Sequence, residues 1–221
     1  MFNVSVYMQS MLELLQKNFD KRLLYIGLQG SYLREEATEA SDIDIVVILD
    51  DLAPADLTTY KNIVHSLDMP EKSCGFICGR NELVGWNTLE VCNFLCGTKD
   101  FYGRLSDYLP TYTTGDVVQF IKVSVGNLYH EIVHRYVHAD EIVNRNGLPY
   151  SYKNVFFVLQ SIYYLKDGVF YLTKRELTEH LSVSDRAVME MDARLSKDDN
   201  YNFDEAFSLL LAWCQEILHT F

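Results

Sequence analysis

The sequence has little of what membrane-spanning, secreted and nucleic-acid-binding proteins need. No apolar run approaches the roughly 20 residues that cross a bilayer, and the best one, 43–49, is interrupted by a carboxylate. The first ten residues lack a basic region and a small-residue cleavage site, so we expect no secretory signal and a cytoplasmic protein. Only 19 basic residues stand against 31 acidic ones, without a basic run, which argues against a nucleic acid partner. We expect no membrane partner either.

Proline is also scarce, and cysteine is present without a convincing metal pattern. With 4 prolines and 48% hydrophobic residues in 221, the chain can bury a core in one domain or two, and disorder is excluded. Two C-x3-C pairs, formed by Cys74, Cys78, Cys92 and Cys96, imitate a zinc site. Strand positions four apart lie about 13 Å from each other, too far to share a metal ion. We therefore expect reduced, buried cysteines.

Hydrophobic periodicity predicts an α/β first half and a helical second half. In the first half we predict helices at 6–19, 57–67 and 88–95 and strands at 23–28, 43–49 and 73–78. In the second half we predict helices at 115–139, 151–166, 173–181, 184–195 and 203–219. Because no Ser/Gly-rich linker separates the halves, domains 1–112 and 113–221 are expected to pack together with a cleft between them.

The residues suited to catalysis lie in the stretch 27–51. Asp42 and Asp44 head an otherwise apolar strand. Alternate strand side chains share one face, so these carboxylates project together with Cα atoms about 7 Å apart. Such oxygen ligands suit magnesium, which binds one or two carboxylates together with substrate phosphates. The alternative, that both are solvated loop carboxylates, fits poorly with their apolar strand neighbours.

A Gly30-Ser31 turn follows the first strand. Backbone N–H groups at such a turn can approach a phosphate closely because glycine has no side chain, and Ser31 adds a hydroxyl donor. Arg34 falls one turn further on, where its forked guanidinium could reach the same phosphates. Metal-holding acids beside a triphosphate-holding turn are the parts that phosphoryl-type transfer requires.

Gly30-Ser31, ten residues and then Asp42-Ile43-Asp44-Ile45 together resemble the signature of the DNA polymerase β-type nucleotidyltransferase superfamily. Within it, the small size and helical second half resemble the aminoglycoside (kanamycin-type) nucleotidyltransferases. The resemblance implies an α/β (α+β) catalytic domain with a mixed sheet, followed by an all-helical bundle. It also implies two Mg²⁺ ions and a nucleoside triphosphate, with ATP as the expected donor and a small hydroxyl-bearing acceptor.

The same resemblance implies roles for single residues. In the family an arginine stands three residues after the serine, and Arg34 matches it. The first helix after the catalytic domain carries a glutamate base and, one turn on, a basic residue for the phosphates, positions that Glu131 and Arg135 fit. Lysines of the helical domain often hold the triphosphate, as Lys153 or Lys174 could. Each could equally be a solvated surface lysine.

One departure from the family pattern concerns a third carboxylate. Superfamily members commonly place it on the third strand, where 73–79 has no acid. Glu131 is the first candidate to replace it and Glu90 the second. If neither does, the chain could bind nucleotide without efficient turnover. The alternative function is therefore a nucleotide-binding regulatory or antitoxin-like protein of the same fold.

The helix at 115–139 also contains the H-E-x-x-H pattern of zinc proteases, between His130 and His134, with His138 extending the stripe. Two histidines four apart on a helix can chelate zinc, but a protease also needs a separate third ligand. We therefore favour histidines that pack the helix face or line the cleft, with binding of the acceptor as the next alternative. The net charge of −12 would suit a cationic acceptor such as a polyamine sugar. The sequence does not indicate the oligomeric state.

Overall fold

The computed structural model of the protein describes residues 2–197 and 200–221, which form four strands and ten α-helices in two compact units, Met1–Thr111 and Tyr112–Phe221. The elements of the first unit are α1 (Val4–Phe19), β1 (Leu23–Leu28), α2 (Gly30–Leu33), β2 (Ile43–Leu49), α3 (Pro54–Ser66), β3 (Ser73–Gly79), α4 (Arg80–Val84), α5 (Thr88–Cys96) and β4 (Lys99–Tyr102). Those of the second unit are α6 (Thr114–His138), α7 (Glu141–Asp167), α8 (Lys174–Thr178), α9 (Val183–Leu195) and α10 (Phe203–Thr220).

The four strands form one mixed sheet in the order β3-β2-β1-β4. β1 runs antiparallel to both β2 and β4, whereas β2 and β3 run parallel. In this register Leu28 lies opposite Ile45, and Asp44 lies opposite Cys74. The fold class predicted from the sequence, a mixed-sheet domain followed by helices, is confirmed. The functional division into a catalytic domain and a cleft-closing domain stays a prediction.

The sheet of the first unit buries both of its faces. On one face, alternate β2 residues such as Ile43 and Ile45 pack with Met11 and Leu15 of α1. On the other, Val46 and Ile48 pack with residues of α4 and α5. A strand buried on both sides has a nearly continuous apolar sequence, which is why any charged residue in β2 stands out.

Arg22 forms ion pairs with Asp50 and Asp56 near the start of α3. Arg22 donates two hydrogen bonds of 2.8 Å to the carboxylate of Asp56 and one of 3.1 Å to Asp50. Asp56 also accepts from the backbone N–H of Ala53 at 2.8 Å, so it caps α3 as well. The Arg22 hydrogen bonds lower the pKa of Asp56 from 3.8 to about 2. Asp56 therefore stabilises the folded state as a carboxylate.

Asp56→Asn is expected to lower the free energy of unfolding by about 2 kcal/mol at neutral pH, because the carboxylate is buried and its charge is hydrogen-bonded. An acid with a lowered folded-state pKa stabilises the protein above its unfolded-state pKa and loses that effect as pH falls. The difference between wild type and variant should therefore shrink between pH 4 and pH 2, the range set by the two pKa values. Urea unfolding at a series of pH values measures it. Asp50→Asn, at a more exposed site, is the milder control, and a pH-independent difference would refute the prediction.

The second unit is a helical bundle in which α7 packs against α6 and α9, and α10 packs against α6 and α9. Its core encloses the carboxylate of Asp185, which accepts from Tyr163 and Trp213, each at 2.9 Å, and from Ser182 at 2.6 Å. A buried acid needs such partners. No helix among the described residues is long and apolar enough to cross a bilayer.

The predicted start of α7 was wrong, because the helix begins at Glu141 and runs through Pro149 instead of beginning at 151. Proline lacks the N–H that would bond to the carbonyl four residues earlier, which normally ends or kinks a helix. Here that carbonyl belongs to Arg145, and the hydroxyl of Tyr201 donates to it instead. The helix therefore continues because a distant side chain replaces the missing donor.

Two further differences concern short elements. β4, an edge strand that sequence periodicity did not predict, has the sequence KDFY with all four residues exposed, so it lacks an apolar pattern. The helix expected at 173–181 is only Lys174–Thr178, where Thr173 and Glu176 form the capping box expected at its start. Charged, exposed edge strands discourage pairing with other chains.

Candidate nucleotide and metal site

Asp42 and Asp44 lie at the start of β2, on the sheet face that also carries Val46 and Ile48. Asp42 is exposed and Asp44 half-buried. Potential ligand atoms of Asp42, Asp44 and Cys74 all lie within 4.8 Å of one another. The two carboxylates thus share one side of the strand, as their alternation predicts, and they can contact a single ion.

The Gly30-Ser31 turn lies directly against Asp44. The N–H of Gln29 donates to the carbonyl oxygen of Asp44 at 2.9 Å, and α2 then begins at Gly30. Gly30 has φ of +70°, and a Cβ placed on it would lie 1.8 Å from Oδ2 of Asp44. Only glycine leaves room for this approach. The turn and the acid are therefore one structural feature, with Ser31 in the first turn of α2.

The loop that leads into Asp42 is held by a lysine that sequence reasoning missed. Nζ of Lys72 donates to the carbonyl oxygens of Glu39 at 2.7 Å and Ser41 at 3.1 Å. The hydroxyl of Ser41 accepts from the N–H of Thr38 at 2.9 Å. Lys72 precedes β3, so the parallel pairing of β3 with β2 brings it to this loop. It fixes the backbone immediately before Asp42.

The site carries an excess of negative charge, which favours the binding of a cation. Burial and then the charge of Asp42 raise the pKa of Asp44, whereas hydrogen bonding with Cys74 and the charge of Arg34 act in the opposite direction. Arg34, directly after α2, forms an ion pair with Glu36 at 3.0 Å. Closely spaced carboxylates with a raised pKa are typical of functional sites and favour binding of a metal ion.

Cys74 differs from the expectation that the cysteines are buried. It is exposed beside both acids, whereas Cys78, Cys92 and Cys214 are buried and Cys96 is partly so. Partial burial, the largest effect, raises the pKa of its thiol; a hydrogen bond with the backbone of Gly75 opposes this, and the charges of Asp44 and Asp42 raise the pKa further. Among residues 2–197 and 200–221, Asp42, Asp44 and Cys74 form the one group of three potential ligands, so the two C-x3-C pairs do not combine. A thiol occupies the third strand where the family commonly has an acid.

Glu131 and Arg135, for which the family resemblance implies a general base and a phosphate donor, both lie on α6. Arg135 donates to Oε1 of Glu131 at 2.7 Å, and the hydroxyl of Ser151 donates to the same oxygen at 2.7 Å. Arg135 also donates to Ser151 at 2.7 Å, which connects α6 to α7. In the part of the chain that the structure describes, Oε2 of Glu131 accepts no hydrogen bond. Oε1 of Glu131 therefore accepts two hydrogen bonds, whereas Oε2 accepts none from the described residues.

The remaining candidates have separate surroundings. Lys153 is exposed on α7, with Nζ 4.9 Å from the ring centre of Tyr150. Lys174 begins α8 and donates to the buried carboxylate of Asp192 at 2.6 Å. Glu90 in α5 accepts from the indole N–H of Trp86 at 3.0 Å. Lys174 has an evident structural role, since Asp192 would otherwise be a poorly compensated buried acid.

His130, His134 and His138 form an exposed stripe along α6, with ring centres 5.7 Å and 4.6 Å apart. Within the described ranges they do not combine with a further ligand into a three-ligand group. The glutamate of the H-E-x-x-H pattern is the one that Arg135 and Ser151 hold. The zinc protease hypothesis thus lacks the third ligand that it needs.

Comparison with known proteins agrees with this geometry. Residues 9–72, which include both aspartates and the Gly30-Ser31 turn, match the family model "nucleotidyltransferase domain". Spectinomycin adenyltransferase AAD(9) from Enterococcus faecialis, solved with ATP and spectinomycin, has a similar fold, with a TM-score of 0.59 and 15% identity over 98% of this chain and 100% of that one. A search of curated proteins found no match.

A second solved structure, a nucleotidyltransferase-like protein from Exiguobacterium sibiricum 255-15, aligns with 96% of this chain and 74% of its own at 12% identity. Its TM-score of 0.37 is too low to support an inference. Three observations agree with one another: the domain match over the two acids, the turn that faces them and the fold shared over the full chain. Residues 9–72 therefore resemble a nucleotidyltransferase domain, and the fold of the whole chain resembles that of spectinomycin adenyltransferase AAD(9).

Proposed function

We propose that the protein transfers a nucleoside monophosphate from a nucleoside triphosphate, with ATP as the preferred donor, to a hydroxyl group of a small acceptor. The contact of the Gly30 turn with Asp44 supports the proposal most directly, since a turn suited to phosphates lies beside two carboxylates suited to a metal ion. Spectinomycin adenyltransferase, which has a similar fold, was solved with ATP and spectinomycin. An aminoglycoside-like polyamine sugar is the first acceptor class to test, because the net charge of −12 favours cations.

The donor set fits divalent metal ions, because two carboxylates and a thiol have ligand atoms within 4.8 Å. Asp42 and Asp44 would hold up to two Mg²⁺ ions, which when bound neutralise charge on the triphosphate and on the leaving pyrophosphate. Around them, the N–H groups of Gly30 and Ser31 would bind phosphate oxygens. Arg34 would leave Glu36 to donate to the same phosphates, an exchange of one anionic partner for another. Lys153, Arg135 and Lys174 are proposed as further phosphate donors.

In the proposed reaction a hydroxyl oxygen of the acceptor forms a bond to the α-phosphorus, and the bond from that phosphorus to the bridging oxygen breaks. Pyrophosphate leaves with the electron pair of the broken bond. The acceptor proton passes to a general base, for which Glu131 is proposed because its Oε2 accepts no hydrogen bond from the described residues. The hydrogen bonds to Oε1 would fix the orientation of this carboxylate.

The overall test is pyrophosphate release with ATP, Mg²⁺ and a panel of aminoglycosides, spectinomycin and other hydroxyl compounds. The expected result is release that requires one acceptor class, together with a product whose mass has increased by one nucleotidyl group. Asp44→Asn is the matched inactive control.

The position of Cys74 in place of an acid favours the second candidate, a nucleotide-binding regulator. Binding of ATP in calorimetry without release across the panel would support the regulator and reject the transferase.

Glu131→Gln is expected to lower kcat by about 100-fold or more, the usual contribution of a general base. The amide keeps an acceptor oxygen for Ser151, so the melting temperature should change little. Ser151→Ala is the structural control, since it removes a hydrogen bond that holds Oε1 of Glu131 without removing the base. Equal losses of rate in both variants would show that Glu131 only positions the helices.

A further inference from the structure

We propose that Cys74 is the third protein ligand at the Asp42 and Asp44 site and adapts it to zinc-like divalent ions, such as Zn²⁺, Co²⁺ and Cd²⁺, in addition to Mg²⁺. The inference rests on the metal-binding role proposed for the two acids. It concerns which ion the site prefers, a property that depends on the atoms offered as ligands.

The position of Cys74 follows from the sheet. β2 and β3 run parallel with Asp44 opposite Cys74, so the two side chains project from the same face on neighbouring strands. Further along that face Phe76 and Cys78 pack into the core with Val46 and Ile48. Cys74 lies at the open end of this row, where it is exposed. The register thus places one thiol beside the acids and the next one in the core.

The composition of the site argues for an ion that accepts sulfur. Mg²⁺ prefers oxygen ligands, whereas thiolate sulfur favours zinc-like ions. Two carboxylates and one thiolate are three protein ligands, and zinc sites with three protein ligands keep a fourth position for water or substrate. A nucleotide phosphate would suit that open position. When the bond from sulfur to metal forms, the thiol proton passes to solvent.

The match to the nucleotidyltransferase family model is an independent reason to expect a metal ion at these residues. The matched segment, 9–72, includes both aspartates and ends two residues before Cys74. The thiol therefore lies just outside the segment that the family model matches. A cysteine that served only the core would be expected to be buried, as Cys78 is, and not exposed within 4.8 Å of both carboxylates.

The test is a titration of the full chain with Cd²⁺ and Co²⁺ in the absence of nucleotide. The readout is the ultraviolet charge-transfer absorption that only sulfur ligands produce. We expect the absorption to saturate at one ion per chain and to vanish in Cys74→Ser. Cys96→Ser, which changes a partly exposed cysteine of α5, is the matched control and should keep it. Calorimetry should show Zn²⁺ affinity reduced about tenfold or more in Cys74→Ser.

Cys74→Asp supplies the second arm, because it restores an oxygen ligand. It should lose the charge-transfer absorption while Mg²⁺ affinity rises about tenfold. Absorption that persists in Cys74→Ser, or that depends on Cys96, would overturn the proposal. These outcomes are separate from those of the transfer reaction: Mg²⁺-supported transfer with no sulfur absorption rejects the ligand and keeps the function. Cys74-dependent absorption without transfer to any acceptor would keep Cys74 as a ligand and reject the proposed function.

Discussion

Asp44→Asn is expected to reduce nucleotidyl transfer by about 1,000-fold or more, equivalent to about 4 kcal/mol of transition-state stabilisation. The substitution keeps the shape of the side chain and removes the negative charge beside Asp42 and Cys74. Without that charge the site loses much of its attraction for a divalent ion, and the triphosphate loses its counter-charge. Initial rates of pyrophosphate release at saturating ATP and acceptor measure the effect, with circular dichroism to verify folding.

The same variant is expected to melt at the wild-type temperature or above it. Burial and the neighbouring charge raise the pKa of Asp44, so at neutral pH its ionised form is disfavoured in the folded state relative to the unfolded chain. The ionised carboxylate of Asp44 therefore destabilises the folded state at pH values above its folded-state pKa. The neutral amide of asparagine removes that destabilisation. Asp56→Asn provides the opposite control, since it should lose stability and keep transfer. A markedly lower melting temperature for Asp44→Asn would show that the acid is structural.

The parts of the fold that local sequence patterns encode were predicted well. The strands predicted at 23–28 and 43–49 coincide with β1 and β2, because both are central strands with nearly continuous apolar sequence. Asp42 and Asp44 could be recognised by the same logic, since charge at the head of such a strand requires a reason. The contact of Gly30 with Asp44 was implied only by the motif spacing.

The parts that depend on distant residues could not be predicted. Cys74 reaches the acids through the register of β3 against β2, which no pattern within either strand specifies. The first turns of α7 were not predicted: proline normally interrupts a helix, whereas here the hydroxyl of Tyr201 replaces the hydrogen bond that Pro149 cannot make. β4 is paired by its backbone and has no apolar side chain pattern. In each case tertiary contact overrides local preference.

Gly30→Ala is expected to reduce transfer by about 100-fold or more, the scale of loss that a shift of about 1 Å in catalytic groups produces. The added methyl carbon would lie 1.8 Å from Oδ2 and 2.8 Å from Cγ of Asp44, so either the turn or the acid must move. Such a movement changes the distance between the N–H groups proposed to bind phosphate and the carboxylate proposed to bind a metal ion. The variant should therefore lose both triphosphate affinity, measured by calorimetry, and rate.

Gly168 allows the effect of this collision to be separated from backbone strain. It has the same φ of +70° as Gly30, but a Cβ there would meet no atom within 4 Å. Gly168→Ala should therefore cost only the strain of a left-handed residue, about 1 kcal/mol, and Gly30→Ala should cost more. Adding Asp44→Ala to Gly30→Ala removes the two closest atoms, so a double-mutant cycle of unfolding free energies should recover the excess. Equal costs at the two glycines, or full transfer by Gly30→Ala, would mean that the turn does not press against the acid in solution.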